Sequence, residues 1–178
     1  MACVEHLRKV WNNGHNGSES PDYFGWGNHD ANVLGGDIEV VEAWPGHAKC
    51  TMVIKERHLN GGNIVHGGCI MTLVDDMTWL VLQTLGYPVI PSVSTNLSGE
   101  FVRPCGTLGD ELTIVSEAVK KGSRLGFLRV TFYVKGQVCA FGSQTVALLP
   151  TRRRTTHTFT ADGKELVPVE EAEVASRL

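Results

Sequence analysis

Apolar positions along this chain first recur every second residue, then every third or fourth, then every second again. Asp37-Ile38-Glu39-Val40-Val41-Glu42-Ala43 and His47 to Ile54 alternate in the manner of half-buried strands, with Pro45-Gly46 turning between them. A glycine-rich loop follows. Beyond it Ile70, Leu73, Val74, Met77, Leu80 and Val81 fall on one stripe at 3.6 residues per turn, which predicts a helix from Gly67 to Leu85. Gly86 and Pro88 stop it. Alternation returns in four runs, Ser92 to Val102, Glu111 to Val119, Leu125 to Lys135 and Gln137 to Leu149, with hairpin turns at Gly122-Ser123 and Lys135-Gly136. Such short links imply an antiparallel sheet, and the single long apolar helix must pack on it, giving an α+β fold.

The flanks read differently. A short helix with Val4, Leu7 and Trp11 on one side opens the chain. A Gly- and Asn-rich stretch follows, whose Tyr23, Phe24 and Trp26 are too aromatic for a free tail and predict packing on the domain. After Pro150 the alternation fades. Thr155 to Phe159 with Ala161-Asp162-Gly163 fits one more hairpin, and Glu170 to Arg177 fits either helix or disorder. The organisation expected is an N-terminal extension over 1–34, one domain over 35–149 and a C-terminal extension over 150–178.

Composition narrows the function classes. The chain has 178 residues, 42% of them hydrophobic, enough for one domain with a real core. A net charge of −3 gives no broad basic face, so nucleic acid is not an expected partner. Lys120-Lys121 and Arg152-Arg153-Arg154 are local basic clusters able to hold a few phosphates. The five cysteines, Cys3, Cys50, Cys69, Cys105 and Cys139, have neither metal-ligand nor disulfide-framework spacing, which points to reduced thiols and no metal site. No signal-peptide run is present, and the apolar stretch Ile70 to Leu85 is interrupted by Asp75 and Asp76. A soluble, cytoplasmic protein without membrane contact is the expectation.

Candidate chemistry concentrates in the loop Arg57 to Gly68 and the helix behind it. Gly67 and Gly68 permit close backbone approach, and the free N–H groups of a helix start attract developing negative charge. Asn60 can donate an amide hydrogen bond to the same oxygen. Asp75 shares its helix side with Gly68, Met71, Trp79 and Leu82, apolar company in which a carboxylate is costly to bury. Its neighbour Asp76 shares a side with Thr72 and Gln83, so Asp75 is the better candidate base. Gly67 and Asp75 are separated by about 12 Å along a helix, at about 1.5 Å per residue, while a base must lie within about 3 Å of its proton. One copy of the helix therefore cannot supply both groups to one site. Two antiparallel helices across a two-fold axis can, which predicts a dimer with composite sites.

The motif His58-x-Asn60-x5-His66-Gly67-Gly68-x6-Asp75, with Ser94 in Val93-Ser94-Thr95-Asn96-Leu97 and with Phe101-Val102-Arg103-Pro104, resembles the hotdog-fold acyl-CoA thioesterases of the phenylacetate-pathway (PaaI-like) type over Gly35 to Leu149. The resemblance implies a curved antiparallel sheet wrapped around one long helix, with subunits joined sheet edge to sheet edge as a dimer or a dimer of dimers. It implies that Gly67 N–H and the Asn60 amide polarise a thioester carbonyl, that Asp75 of the neighbouring subunit activates water or attacks directly, and that Ser94 positions that water. His66 would orient the loop. Phe101 to Gly106 and Lys121 to Arg124 would hold coenzyme A, with Gly68, Arg103, Pro104, Lys121, Gly122, Ser123 and Arg124 as contacts and Arg103, Lys121 and Arg124 on the phosphates. No cofactor or metal is implied. The doubled aspartate and the extensions depart from the pattern, so acyl-group preference does not carry over. Trp79 and Met71 would favour a bulky or aromatic acyl group.

Alternatives keep the fold but change the role. A hotdog hydratase or dehydratase pairs a histidine with a carboxylate, and His66 is the one placed to serve. A non-catalytic acyl-CoA-binding protein would not require Asp75, Asn60, Gly67 and Ser94 together. A Cys69 nucleophile at the helix start lacks an evident base.

Overall fold

The computed structural model describes residues 1–15, 29–34, 36–150 and 155–169. Within them the order is α1 (Ala2–His15), α2 (His29–Val33), β1 (Ile38–Trp44), β2 (His47–Val53), α3 (Gly67–Leu82), β3 (Ser92–Phe101), β4 (Glu111–Lys121), β5 (Leu125–Val134), β6 (Gln137–Leu148), β7 (His157–Phe159) and β8 (Leu166–Pro168). A 3-10 turn, Gln83–Leu85, extends α3 to the end the sequence predicts. The aromatic segment around Tyr23 and the run from Glu170 lie outside the described residues.

Strands β1, β2, β4, β5, β6 and β3 form one six-stranded sheet in that order, every pairing antiparallel. The sheet curves about α3, which is the hotdog arrangement. Alternation does the sorting: along β5, Leu128, Val130 and Phe132 point inward and are buried, while Phe127 and Arg129 point outward. The helical stripe Ile70, Leu73, Val74, Met77, Leu80 and Val81 is at most 1% exposed, so each of these side chains contributes roughly 1.5–3 kcal/mol of burial. Gly142 on β6 allows the closest approach, since a Cβ there would stand 2.6 Å from a Val74 methyl and 2.8 Å from the Ser98 carbonyl.

The hairpins at Lys135-Gly136 and Gly122-Ser123 form as the turn residues predict, with φ positive at both Lys135 and Gly136. Local pattern does not report that β3 crosses to the far edge, outside β6, rather than lying beside β4. Its outer edge takes no strand partner among the described residues. Most of its residues are exposed, Val93 at 47% and Phe101 at 52% among them.

The flanking segments join the core rather than trail from it. Val4, Leu7 and Trp11 of α1 are buried against β1, as is Cys3. The hairpin β7–β8 forms where the sequence suggests one. The Ala2 and Cys3 N–H groups donate to the carbonyls of Lys164 and Gly163, and Tyr87 pairs with His157, so both flanks meet near the end of α3. The short α2, which periodicity does not reveal, lies against α3 with His29 Nε2 3.1 Å from Thr72 Oγ1. Among the described residues no helix is long and apolar enough to cross a membrane.

Candidate active site

The loop before α3 is held as a unit. His58 is fully buried, and its Nδ1 accepts from the Lys55 N–H at 3.0 Å. That leaves Nε2 as the protonated nitrogen, 3.6 Å from Asp37 Oδ2. Burial, reinforced by the Arg57 guanidinium, pushes the His58 imidazole below its ordinary value, so the ring is neutral. Its carbonyl receives the His66 N–H at 2.8 Å, and Leu59 pairs with Val65, closing a small hairpin around Asn60. The Asn60 Oδ1 accepts from Gly62 N–H at 2.8 Å and from Ile64 N–H at 3.4 Å. Its oxygen is thereby occupied, and the Nδ2 hydrogens make no bond among the described residues.

His66 is the N-cap of α3, with extended backbone, and its Nδ1 accepts from Gly68 N–H at 2.8 Å. A Cβ on Gly68 would stand 2.9 Å from that nitrogen, so glycine is the residue the cap tolerates. The Gly67 N–H, one position earlier, is left unclaimed among the described residues and is only half-buried. Its Cα faces the Phe101 ring at the end of β3. An unclaimed donor at the start of a 16-residue helix is the element an oxyanion needs.

Asp75 lies two turns further on, beside the other end of β3. Its Oδ1 accepts from Ser94 Oγ at 2.8 Å and also from Gln144 Nε2, and Gln144 Nε2 donates to Ser94 Oγ at 2.9 Å. The Gln144 Oε1 receives the Thr78 hydroxyl at 2.6 Å. The polar setting corrects the apolar neighbourhood that helix periodicity predicts for Asp75. Periodicity sees only α3, and the contacts come from β3 and β6. Gln144 and Thr78 are functional candidates the sequence reading missed. Thr78 looks like any helix residue, and the signal for Gln144 was an amide on the inward phase of β6, between Gly142 and Val146.

The desolvated carboxyl is instead that of Asp76. Part of the residue reaches the surface, but its Oδ2 is closed off and has no hydrogen-bond partner among the described residues. Burial first, then the charges of Asp30 and Asp75, hold this carboxyl well above the usual range. Cys69, at the helix start, is buried and its thiol is pushed up to about 11, which removes the thiolate a nucleophile requires at neutral pH. The other cysteines are free and buried as well.

The candidate coenzyme contacts fall into two groups at opposite ends of the sheet. Arg103 and Pro104 follow β3 at the Gly67 end, with Arg103 Nη1 2.6 Å from Gln137 Oε1. Lys121, Gly122, Ser123 and Arg124 form the β4–β5 turn at the Asp75 end, where Gly122 N–H donates to Leu125 O and Leu148 N–H to Arg124 O. One chain therefore does not bring Arg103 to Lys121 and Arg124. Lys121 is half-buried, makes no ion pair among the described residues, and is lowered from its ordinary value by that burial.

Residues 62–140 match the thioesterase superfamily model. A putative esterase of Schizosaccharomyces pombe is 31% identical over 143 residues, covering 80% of this chain and 82% of that protein. Human acyl-coenzyme A thioesterase 13 is 32% identical over 112 residues, 62% of this chain and 79% of its own. Among solved structures, zebrafish thioesterase superfamily member 2 superposes with a TM-score of 0.67 at 25% identity, covering 82% of this chain and 98% of that one. A hypothetical thioesterase of Streptococcus pneumoniae with coenzyme A superposes with a TM-score of 0.60 at 26% identity, over 65% of this chain and 88% of that one. The chain belongs to the thioesterase superfamily.

Proposed function

We propose that the protein hydrolyses acyl-CoA thioesters at sites shared between two subunits. The observation that carries this is the layout of β3. Asp75 with Ser94 sits near one end of that open edge, and the unclaimed Gly67 N–H sits beside Phe101 at the other. In one chain they are separated by roughly 12 Å of helix. An antiparallel pairing of two β3 edges, centred near Leu97, lays Asp75 and Ser94 opposite Gly67 of the partner subunit. The same operation carries Arg103 of the partner subunit toward Lys121 and Arg124, so the two basic groups can serve one pyrophosphate. Relatives named as acyl-CoA thioesterases, and one solved with coenzyme A, support this substrate class.

In the reaction, Asp75 takes a proton from a water that Ser94 positions, and the water oxygen attacks the thioester carbon. The carbonyl oxygen becomes an oxyanion against Gly67 N–H and the Asn60 amide of the other subunit. The intermediate expels the coenzyme A thiolate, which recovers the proton from Asp75. His66 serves by holding the Gly67-Gly68 turn, and no metal enters the scheme.

Thiol release from a panel of acyl-CoAs tests the chemistry, with Asp75→Asn expected to cut turnover by at least about 100-fold. Complementation tests the sharing. Asp75→Asn and Asn60→Ala, each inactive as homodimers, should regain activity when co-expressed, because one site of the mixed dimer is intact. Absence of recovery in a verified heterodimer would reject the composite site.

A further inference from the structure

We propose that Gln144 is a positioning residue for this reaction: its amide, seated against Thr78, holds the Asp75 side chain in place and keeps Ser94 against it. The inference rests on the assignment of Asp75 as the base. Gln144 is 2% exposed and Thr78 is fully buried, so neither exchanges its partners for water. Both hydrogens of the amide nitrogen are used, one on Asp75 Oδ1 and one on Ser94 Oγ. The amide oxygen takes the Thr78 hydroxyl. Among the described residues the Ser94 hydroxyl then donates to Asp75 Oδ1 at 2.8 Å. Two donors, the Ser94 hydroxyl and one amide hydrogen of Gln144, therefore meet on Asp75 Oδ1 and fix the position of that oxygen.

The reversed amide makes the opposite demand. Turned by half a rotation, Gln144 would donate to Thr78 Oγ1, whose hydroxyl would serve the Val74 carbonyl 2.7 Å away. Its Oε1 would then face Asp75 Oδ1, two acceptors in contact. That arrangement is satisfied only when Asp75 carries the proton it has taken from water. The Thr78 hydroxyl serves either orientation, so the amide matches each protonation state of the base with one orientation, and the resting one is the one that donates to Asp75.

The test uses Gln144→Leu and Thr78→Val beside wild type. The readout is the pH profile of kcat/KM for acyl-CoA hydrolysis, read together with KM. Loss of a hydrogen bond to a charged group should move the acid limb of Gln144→Leu alkaline by about one pH unit or more. Thr78→Val should move it the same way by less. KM should stay within about threefold, because neither side chain reaches solvent. A limb that stays put in both folded variants would overturn the proposal, since a merely structural residue changes stability and yield but not the profile. A second arm does not depend on the substrate class. The Gln144 side-chain NH2 resonances, followed by 15N NMR, should be slow to exchange in wild type and should shift in Asp75→Asn. Resonances behaving as those of a free amide would overturn the proposal even if acyl-CoA hydrolysis is observed. If wild type hydrolyses no thioester, the function fails and the NMR arm alone judges Gln144.

Discussion

Replacing Asp76 by Asn should make the protein more stable, by an amount that grows with pH. Asp76 Oδ2 is closed off without a partner among the described residues, and burial, then Asp30 and Asp75, raise its carboxyl well above the ordinary range. In the unfolded chain the same group titrates near 3.9. Below that pH both states are protonated and Asp76 has no effect. Above it the unfolded chain loses the proton while the folded one retains it, so folding weakens by about 1.4 kcal/mol for each pH unit, until the raised folded value is passed. For a chain of this size about 1.4 kcal/mol corresponds to about 4 °C in Tm. Asn removes the titration, and with it the penalty. Urea or thermal unfolding of wild type and Asp76→Asn, from pH 4 to 8, should give curves that converge at the acid end and separate toward neutrality, the variant on top. Asp30→Asn should narrow the window by removing one of the raising charges. Hydrolysis by Asp76→Asn should remain within about threefold, because Asp75, not Asp76, meets Ser94 and Gln144. Curves offset by a constant amount at every pH would refute the reasoning, since they would mean Asp76 titrates alike folded and unfolded.

Other outcomes follow from the same geometry. Lys121→Ala and Arg103→Ala should each raise KM for acyl-CoA about fivefold to tenfold with kcat little changed, the pattern of lost ground-state phosphate contacts, read from steady-state kinetics. Cys69→Ala should leave kcat/KM within about twofold, and thiol-directed alkylation at pH 7 should proceed slowly, because the buried thiol rises to about 11. His66→Ala removes the cap on Gly68 and should lower stability by about 1 kcal/mol, a fall in Tm of a few degrees by calorimetry, with a loss of kcat from the loosened turn.

What the sequence makes legible here is what local pattern encodes. The helix stripe and the hairpin turns follow from periods of two and 3.6 and from neighbours within a few residues. The loop motif is legible for the same reason, since His58, Asn60, His66 and Gly67 share one short segment. What stays hidden depends on distant strands. The Gln144 contact with Asp75 spans 69 residues and the Thr78 contact with Gln144 spans 66, and each follows from β6 packing across α3 rather than from any local preference. The burial of Asp76 is hidden likewise, because α2 supplies part of its cover and helix periodicity counts only the residues of α3. Arg103 and the β4–β5 turn, read together as one phosphate site, sit at opposite ends of a sheet whose strand order the sequence does not announce.

The backbone bonds from Ala2 to Lys164 and from Cys3 to Gly163 tie the early and late segments to each other as well as to the sheet. Under tension applied through those two segments, this small clasp bridges the pulled ends and carries the load before it reaches the sheet. Mechanical release of α1 and β7–β8 should thus precede rupture of the six-stranded sheet, giving a two-step force trace in which the weak first event uncovers Trp11 and the second dismantles the core.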